Sequence, residues 1–249
     1  MGFGAGFGLI APASLALHDI DRRSGAAAPM PGRLVALVSF HCFNAMAATN
    51  SLFIQSVTGA AAVTPQDVPE SDAPGIIELG TGTTTTGRAC IATDGVNGAA
   101  KSFCTADNLN YRYSSRFRLA DLSTVGEEYD FWSGITDRAS GMTPSAYGAG
   151  INYDRETNVN FRAYSDDGGA NRDDDTGVAA AADVWIRYRV EVYGSTAIKH
   201  YINNVLVATQ AGLTAGRVVG AVTGLLKSAG TTSSVCDIDY VEVEIRETS

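Results

Sequence analysis

The carboxylates Glu128 and Asp130 could begin a motif for the hydrolysis of glycosidic bonds. That reaction needs two carboxyl groups, a protonated one as the acid and an ionised one as the nucleophile or base. A complete motif on one strand would read E-x-D-x-E or E-x-D-x-x-E, but Trp132 and Ser133 occupy the two positions at which the last acid would stand. The pattern therefore favours two solvated acids at a strand end over an active glycan hydrolase.

Aspartates form two short runs, at 166–167 and 173–175, with glycines between them. Flexible acidic loops of this kind can supply the oxygen ligands that Ca²⁺ takes. The spacing lacks the D-x-D-x-D-G pattern and the distal glutamate of a calcium loop. We therefore expect a solvated loop tip and no cofactor, with Ca²⁺ held by Asp173, Asp174 and Asp175 as the alternative.

Aromatic side chains are the remaining candidates for a site, because the apolar faces of sugar rings stack on tryptophan and tyrosine. The tentative carbohydrate contacts lie on or beside predicted strands: Trp132, Tyr147, Tyr153 and Tyr164. Core packing is favoured for both tryptophans, and of the two we expect Trp132 to be the more exposed. The three histidines are isolated, and the sequence contains neither a nucleophile-elbow nor a phosphate-loop motif.

Strands must position these residues, and the strand signal is clearest from Trp185 to Val207. Apolar and polar side chains alternate from Ile186 to Tyr193, which is typical of a half-buried strand. Asn203 and Asn204 then tolerate the positive φ that a two-residue hairpin turn requires. Similar short runs between Gly, Asp, Asn, Ser and Thr recur at 75–79, 87–93, 111–120, 128–136, 146–153, 159–164, 217–227 and 235–246.

This pattern predicts an all-β fold in which two antiparallel sheets pack as a sandwich over residues 49–249. Residues 1–48 are predicted to be an N-terminal arm and anchoring segment. Within that segment, the apolar run at 34–43 fits either a strand or a short buried helix.

The first 33 residues are rich in Gly, Ala and Pro but also carry scattered apolar side chains. Such a segment cannot form a compact core, and it exposes more apolar surface than a solvated tail does. We expect an extended arm that packs on another chain, with disorder or packing along its own sandwich as the alternatives. The side chains predicted to mediate assembly are Phe3, Phe7, Leu9, Ile10, Leu15 and Leu17.

Composition and charge exclude several classes of partner for this 249-residue chain. Its net charge of −9 repels phosphate backbones, so we expect no nucleic-acid partner. His41 and Asn44 interrupt the longest apolar run, which is shorter than the ~20 residues that cross a bilayer. No basic residue precedes Leu9 as it would in a signal peptide. We expect neither a membrane segment nor a signal peptide.

The four cysteines are widely spaced and form no C-x-x-C pair, so neither a zinc knuckle nor a redox motif is indicated. We expect Cys42, Cys90, Cys104 and Cys236 to be buried free thiols. A disulfide between Cys90 and Cys104 is the alternative.

Four stretches carry a family resemblance: GIIELGTGTTTTGRA at 75–89, DTGVAAAADVWIRYRVEV at 175–192, YINNVLVAT at 201–209 and KSAGTTSSVCDIDYVEVE at 227–244. Together, and in this order, they resemble concanavalin A-like or laminin G-like jelly-roll domains that recur in particle proteins of tailed phages and prophages. The family often has Asn-Gly where this chain has Asn203-Asn204. The resemblance implies a jelly-roll sandwich and a particle context, and it does not extend to the arm.

The resemblance, the incomplete catalytic motif and the apolar arm together predict a non-enzymatic virion structural protein. It would be a capsid decoration or cement protein, or a short tail fibre, made in the host cytoplasm and attached at the virion surface to other capsid or tail proteins. Exposed strand edges and the arm favour a homo-oligomer, and the resemblance favours a trimer. The alternative is a lectin-like carbohydrate-binding module that recognises glycan on the host surface, and a glycan hydrolase ranks third.

Overall fold

The computed structural model describes residues 30–31, 34–41, 54–65, 75–93, 104–105, 109–137, 147–154, 159–214 and 218–247. These residues form sixteen β-strands and contain no helix. A membrane-spanning helix is likewise absent from the described part of the chain. In chain order the strands are β1 Leu34–His41, β2 Ile54–Thr58, β3 Ala62–Pro65, β4 Ile77–Gly80, β5 Arg88–Ala92, β6 Cys104–Thr105, β7 Leu109–Leu119, β8 Tyr129–Thr136, β9 Gly148–Asp154, β10 Asn160–Asp166, β11 Asn171–Ala179, β12 Ile186–Tyr193, β13 Ala197–Ile202, β14 Val205–Ala211, β15 Val218–Lys227 and β16 Val235–Glu247.

The strands form two antiparallel sheets that pack face to face. Sheet A has the order β14-β13-β12-β7-β16-β4-β3, and β1 also pairs with β16. Sheet B has the order β11-β10-β9-β8-β15-β5-β2, and β6 also pairs with β15. The chain passes between the sheets from β7 to β8, from β11 to β12 and from β14 to β15, as it does in a jelly roll. The predicted all-β jelly-roll sandwich is therefore confirmed.

Strand β1 lies within residues 1–48, the segment predicted as an arm, but it adds to sheet A by pairing with β16. The pairing runs from Leu34 opposite Arg246 to His41 opposite Tyr240. A strand is thus the structure that the apolar run adopts. The predicted assembly residues Phe3, Phe7, Leu9, Ile10, Leu15 and Leu17 lie outside the described residues.

The predicted hairpin turn joins β13 to β14, and Asn203 and Asn204 have φ values of 49° and 68°. Asn203 also ties the turn to β12. Its backbone N–H donates to the carbonyl oxygen of Arg187 at 2.8 Å, and its side-chain Oδ1 accepts from the backbone N–H of Arg187 at 3.0 Å. Because asparagine tolerates the left-handed region, the turn forms without the glycine that often follows.

Alternate residues of the central strands, among them β7, β8, β12 and β16, point inwards and form one apolar core between the sheets. The rings of Phe117, Phe131 and Phe161 meet at its centre, with centroids 4.3 Å apart for the first pair and 5.8 Å apart for Phe117 and Phe161. Full burial of a side chain of this size contributes roughly 1.5–3 kcal/mol. The alternation in β12 that predicted the fold buries Tyr188, Val190 and Val192 in this core.

A chain of hydrogen bonds through His200 connects the two sheets inside the core. Gln210 donates through Nε2 to the carbonyl oxygen of Ala163 at 3.0 Å and to Asp174 at 2.9 Å, so its oxygen accepts from His200 Nε2 at 3.1 Å. His200 Nδ1 is left to accept from the Tyr188 hydroxyl at 2.8 Å. Complete burial lowers the pKa of His200 from 6.5 to about 4, so the ring is neutral at physiological pH.

Ion pairs cover the outer face of sheet A. Arg112 lies between two acids on neighbouring strands, with Nη2 3.1 Å from Glu191 and Nη1 3.0 Å from Glu244. The register of β12, β7 and β16 places these three residues in one row across the sheet. Two further pairs on β7 and β16 are Arg116–Asp239 at 3.1 Å and Arg118–Asp237 at 2.6 Å.

Two of the cysteines are free thiols buried on different sheets, Cys90 in β5 and Cys236 in β16. The alternative disulfide between Cys90 and Cys104 is therefore not formed. Burial raises the pKa of the Cys236 thiol well above its usual value, so this sulfur stays protonated and inert.

Candidate functional site

The outer face of sheet B has glycines where most sheets carry side chains. Phe131 and Ile135 of β8 point into the core, so Trp132 and Gly134 between them point outwards. Gly150 of β9 pairs directly with Gly134, and a Cβ atom at Gly134 would lie 2.4 Å from the Ala149 carbonyl oxygen. A Cβ atom at Gly150 would lie 2.8 Å from the Trp132 ring. The indole therefore packs where only glycine leaves room for it.

Trp132 also packs against Tyr164 of β10, with ring centroids 5.3 Å apart and an interplanar angle of 78°. This edge-to-face pair belongs to a second apolar cluster on the outer face, which includes Cys90, Ala92 and Val222. Burial raises the pKa of the Tyr164 hydroxyl, and the nearby Asp166 carboxylate raises it further. Two of the four predicted aromatic contacts are thus brought together.

Two buried polar atoms beside this pair have no hydrogen-bond partner in the described part of the chain. They are the indole Nε1 of Trp132 and the side-chain Oδ1 of Asn152. Trp132 and Asn152 are directly opposite each other in the pairing of β8 with β9. One atom is a donor and the other an acceptor, so a group that both donates and accepts could satisfy the two together.

The same row of residues continues towards solvent. Asn152 pairs with Arg162 of β10, and Arg162 pairs with Asp175 of β11. Exposure increases along this row: Trp132 is 2% exposed, Asn152 and Arg162 are half-buried, and Asp175 is exposed. We call Trp132, Asn152, Arg162 and Asp175 the sheet B row. Its exposed end is Asp175, and its buried end is the pair Trp132 and Asn152 that carries the unsatisfied atoms.

Acidic groups surround the exposed end of the sheet B row. Arg162 Nε donates to Asp173 Oδ1 at 2.9 Å, and this bond raises the pKa of the guanidinium. Asp130 of β8 lies directly opposite Asp154 of β9, two residues along both strands from the sheet B row and on the same face. Arg88 of β5 stands in the same cross-strand row as Asp130 and Asp154, so the described charged groups on this part of the face are four carboxylates and two arginines.

The other two predicted aromatic contacts lie in the core. Tyr147 and Tyr153 are buried between the sheets, and the ring of Tyr153 packs on Tyr129 and Phe161 at centroid distances of 5.9 and 6.0 Å. The prediction that Trp132 is the more exposed tryptophan is wrong, because Trp132 is buried in the outer cluster and Trp185 is half-buried.

The aspartates of the alternative calcium site lie within β11, so the prediction of a loop tip is wrong for them. Asp173 and Asp175 point to the outer face, and Asp174 points inwards. Each accepts a hydrogen bond from protein: Asp173 from Arg162, Asp174 from Gln210 and Asp175 from Asn160. No group of three potential metal ligands occurs among the residues that the structure describes.

Sequence reasoning missed the residues that complete the sheet B row. Asn152 and Arg162 stand in short strands that also carry apolar side chains, and nothing in their local sequence marks them as a site. The alternation in Phe131-Trp132-Ser133-Gly134 does place Trp132 and Gly134 on one face, but only the pairing of β8, β9 and β10 brings Asn152 and Arg162 beside them.

Comparison with known proteins identifies the fold. No protein-family model matches the chain, and no curated protein sequence matches it. Among solved structures, a protein of unknown function from Shewanella oneidensis MR-1 has a TM-score of 0.65 at 11% identity, covering 97% of this chain and 96% of that one. Alginate lyase AlyC3 in complex with dimannuronate has a TM-score of 0.53 at 10% identity, covering 70% and 76%.

A carbohydrate esterase from the Shiga toxin-encoding bacteriophage phi24B has a TM-score of 0.50 at 12% identity, covering 86% of this chain and all of that one (100%). At these identities the likeness shows a shared jelly-roll fold, and the sites must be compared residue by residue.

Proposed function

We propose that the chain is a lectin-like carbohydrate-binding module whose sheet B row binds a neutral glycan, without catalysis. The observation that carries the proposal is the adjacent pair of unsatisfied buried atoms, Trp132 Nε1 and Asn152 Oδ1. A sugar hydroxyl donates one hydrogen bond and accepts others, so a single hydroxyl matches this pair.

The free energy of binding favours a ligand that supplies hydrogen-bond partners to these two atoms. Each buried polar group without a partner costs about 1–3 kcal/mol, and a ligand that supplies the partner removes that cost. The rings of Trp132 and Tyr164 pack edge to face beside these atoms and are 2% and 5% exposed, so they form the apolar floor beneath the site. Binding sites for small ligands commonly combine aromatic surface with a few oriented polar groups.

Charge favours a neutral glycan over an acidic one. The described part of this face carries the carboxylates of Asp130, Asp154, Asp173 and Asp175 against the two cations Arg88 and Arg162, and Arg162 is already paired with Asp173. An acidic sugar would meet net repulsion there. The comparison with the alginate lyase bound to dimannuronate supports the use of this fold for saccharides, while the acidic rim predicts a different preference for this chain.

The role on a phage particle remains a separate prediction. A decoration or fibre protein can itself bind glycan, so the particle role and the proposed glycan binding are compatible with each other. The fold shared with the phage esterase is compatible with both roles. The arm, the trimer and the partner proteins on the virion require their own tests, since the predicted assembly residues of the arm lie outside the described part of the chain.

An array of neutral oligosaccharides, followed by isothermal titration with the best ligand, tests the proposal. Asn152→Ala removes the acceptor and Trp132→Phe removes the donor, and we expect each to weaken binding about tenfold or more. Trp185→Phe on the opposite sheet is the matched control and should bind like the parent chain. Absence of any binding, or equal binding by all three variants, contradicts the proposal.

The non-enzymatic part is tested with the same ligand. Asp130 and Asp154 face each other, so they are the acids that a hydrolase would use on this face. We expect chromatography to show no shortened product after long incubation with the parent chain. Product formation that disappears in Asp130→Asn or Asp154→Asn would show an enzyme instead.

A further inference from the structure

A concave site lies on sheet A, on the opposite side of the sandwich from the sheet B row. Five residues line a shallow pocket of about 320 Å³: Arg116, Trp185, Arg187, Asn203 and Asn204. We call it the hairpin pocket, because the turn between β13 and β14 forms one wall. Its volume is at the lower end of the range of roughly 300–1,000 Å³ for small-molecule sites.

Both asparagines present hydrogen-bond donors to the hairpin pocket. Asn203 Oδ1 accepts from the Arg187 backbone N–H at 3.0 Å, and Asn204 Oδ1 accepts from Arg189 Nη1 at 3.2 Å. The side-chain oxygens are therefore engaged, whereas the Nδ2 groups make no hydrogen bond within the described part of the chain. The positive φ of both residues fixes the turn, so these donors are held in place.

The arginines of the pocket carry more positive charge than their ion pairs neutralise. Arg187 and Arg116 are directly opposite each other on β12 and β7, an arrangement in which like charges repel. Arg116 is paired with Asp239 at 3.1 Å. Arg187 is half-buried and forms no ion pair in the residues that the structure describes. A bound anion would relieve this repulsion.

Trp185 holds the arginines in a fixed arrangement. The guanidinium carbon of Arg116 lies 4.6 Å from the centroid of its ring, and that of Arg118 lies 4.9 Å away. Cation–π contacts of this length restrain the guanidinium groups, so less conformational entropy is lost when a ligand binds. The pocket is thus pre-organised and lined by donors on every polar side.

We propose that the hairpin pocket binds the carboxylate of an acidic monosaccharide unit such as a uronate. Guanidinium and amide N–H groups match the two oxygens of a carboxylate, and charge-assisted hydrogen bonds of this kind are the strongest available. A shallow pocket of this volume fits one sugar ring better than a peptide segment, which needs a longer groove. This site is independent of the sheet B row in position, in charge and in ligand.

Titration followed by NMR, with sodium glucuronate as the probe and glucose as the neutral comparison, tests the assignment. Glucuronate should shift the indole N–H signal of Trp185 and bind more weakly as ionic strength rises, and glucose should do neither. Arg187→Gln should weaken glucuronate binding about tenfold or more. Lys199→Gln is the matched control, because it removes a positive charge from the same face without lining the pocket.

Thermal melts verify that Arg187→Gln is folded before its affinity is read. If Arg187→Gln binds glucuronate as tightly as the parent chain does, the proposal that the hairpin pocket is the binding site is overturned. N-acetylglutamate carries a carboxylate on a peptide unit, and binding as tight as that of glucuronate would overturn the assignment to a sugar. If Asn152→Ala no longer binds the neutral glycan but still binds glucuronate, the two sites are independent, and failure of one proposal does not imply failure of the other.

Discussion

The two outer faces of the sandwich use polar residues in opposite ways. On sheet A, Arg112 is satisfied by Glu191 and Glu244, and most of the face is a ladder of such pairs. On sheet B, glycines open space at the centre of the face, and the polar atoms of Trp132 and Asn152 have no partner in the described residues. Most charged groups of sheet A are therefore paired within the face, whereas on sheet B a donor and an acceptor on directly opposite residues are left for a ligand.

The comparison teaches that charge density alone does not mark a binding site. Buried pairs stabilise only if both members stay together, so the ladder on sheet A acts mainly as structure. The hairpin pocket is the exception on that face, because Arg187 stands opposite Arg116 without an acid of its own. Each predicted site therefore lies where local pairing is incomplete.

The largest effect is expected from breaking the ladder on sheet A. Arg112→Met breaks two buried ion pairs at once and leaves Glu191 only Arg189 and Glu244 only Arg246 as a charged partner, so we expect a loss of about 3–5 kcal/mol in the free energy of unfolding by urea denaturation. Lys199→Met, a half-buried lysine of the same face, should cost less than about 1 kcal/mol. If both variants lose the same free energy of unfolding, the ion pairs of sheet A contribute no more to stability than other surface side chains.

The next largest effect is the pH dependence of stability that His200, buried in the core between the two sheets, confers. Its pKa is lowered from 6.5 to about 4 in the folded chain, so the unfolded chain binds the extra proton first as pH falls. Stability should therefore decrease by roughly 3 kcal/mol between pH 6.5 and pH 4 and depend no further on this group below that range.

Urea denaturation at a series of pH values measures this loss. His200→Gln, which cannot take up a proton, should have a correspondingly flatter profile over the same window. An identical slope in the variant and the parent chain would mean that His200 is not the group responsible.

A smaller effect is expected from adding a side chain at Gly134, one of the paired glycines on the outer face of sheet B. A Cβ atom at Gly134 would meet the Ala149 carbonyl oxygen at 2.4 Å and Gly150 Cα at 2.5 Å. Gly134→Ala should lower the free energy of unfolding by about 1–3 kcal/mol and displace the neighbouring strand. Gly169→Ala is the control, because nothing lies within 4 Å of its Cβ position, and its melting temperature should match that of the parent.

The smallest effect is expected from removing divalent metal. Asp173, Asp174 and Asp175 already accept hydrogen bonds from protein donors and point to alternate faces of β11. EDTA should therefore leave the melting temperature unchanged. A clear drop that added Ca²⁺ reverses would show a bound ion, since a ligand of the native state stabilises it by mass action.

The sequence predicts what depends on local pattern. Alternation from Ile186 to Tyr193 and the two asparagines of the turn are local signals, and both features form as expected. Asp173–Asp175 were expected in a loop because acidic runs are poor strand formers, yet partners on β10 and β14 hold them in β11. Cross-strand partners of this kind are not visible in the sequence.

The candidate site is less predictable for the same reason. Trp132 and Tyr164 could be selected by residue type, whereas Tyr147 and Tyr153 have the same type and lie in the core. Asn152 and Arg162 join the site only through the register of β8, β9 and β10. The pairing register depends on strands that are distant in the sequence. A site built from several strands therefore cannot be predicted by examining each segment alone.

One NMR measurement tests the central claim most directly, because the chain has only two tryptophans and they lie on opposite faces. Trp132→Phe and Trp185→Phe assign the two indole N–H signals. During titration with the neutral oligosaccharide found on the array, the signal of Trp132 should shift and that of Trp185 should stay fixed. A shift of Trp185 alone, or binding that leaves both signals unchanged, would contradict the assignment of the glycan site to sheet B.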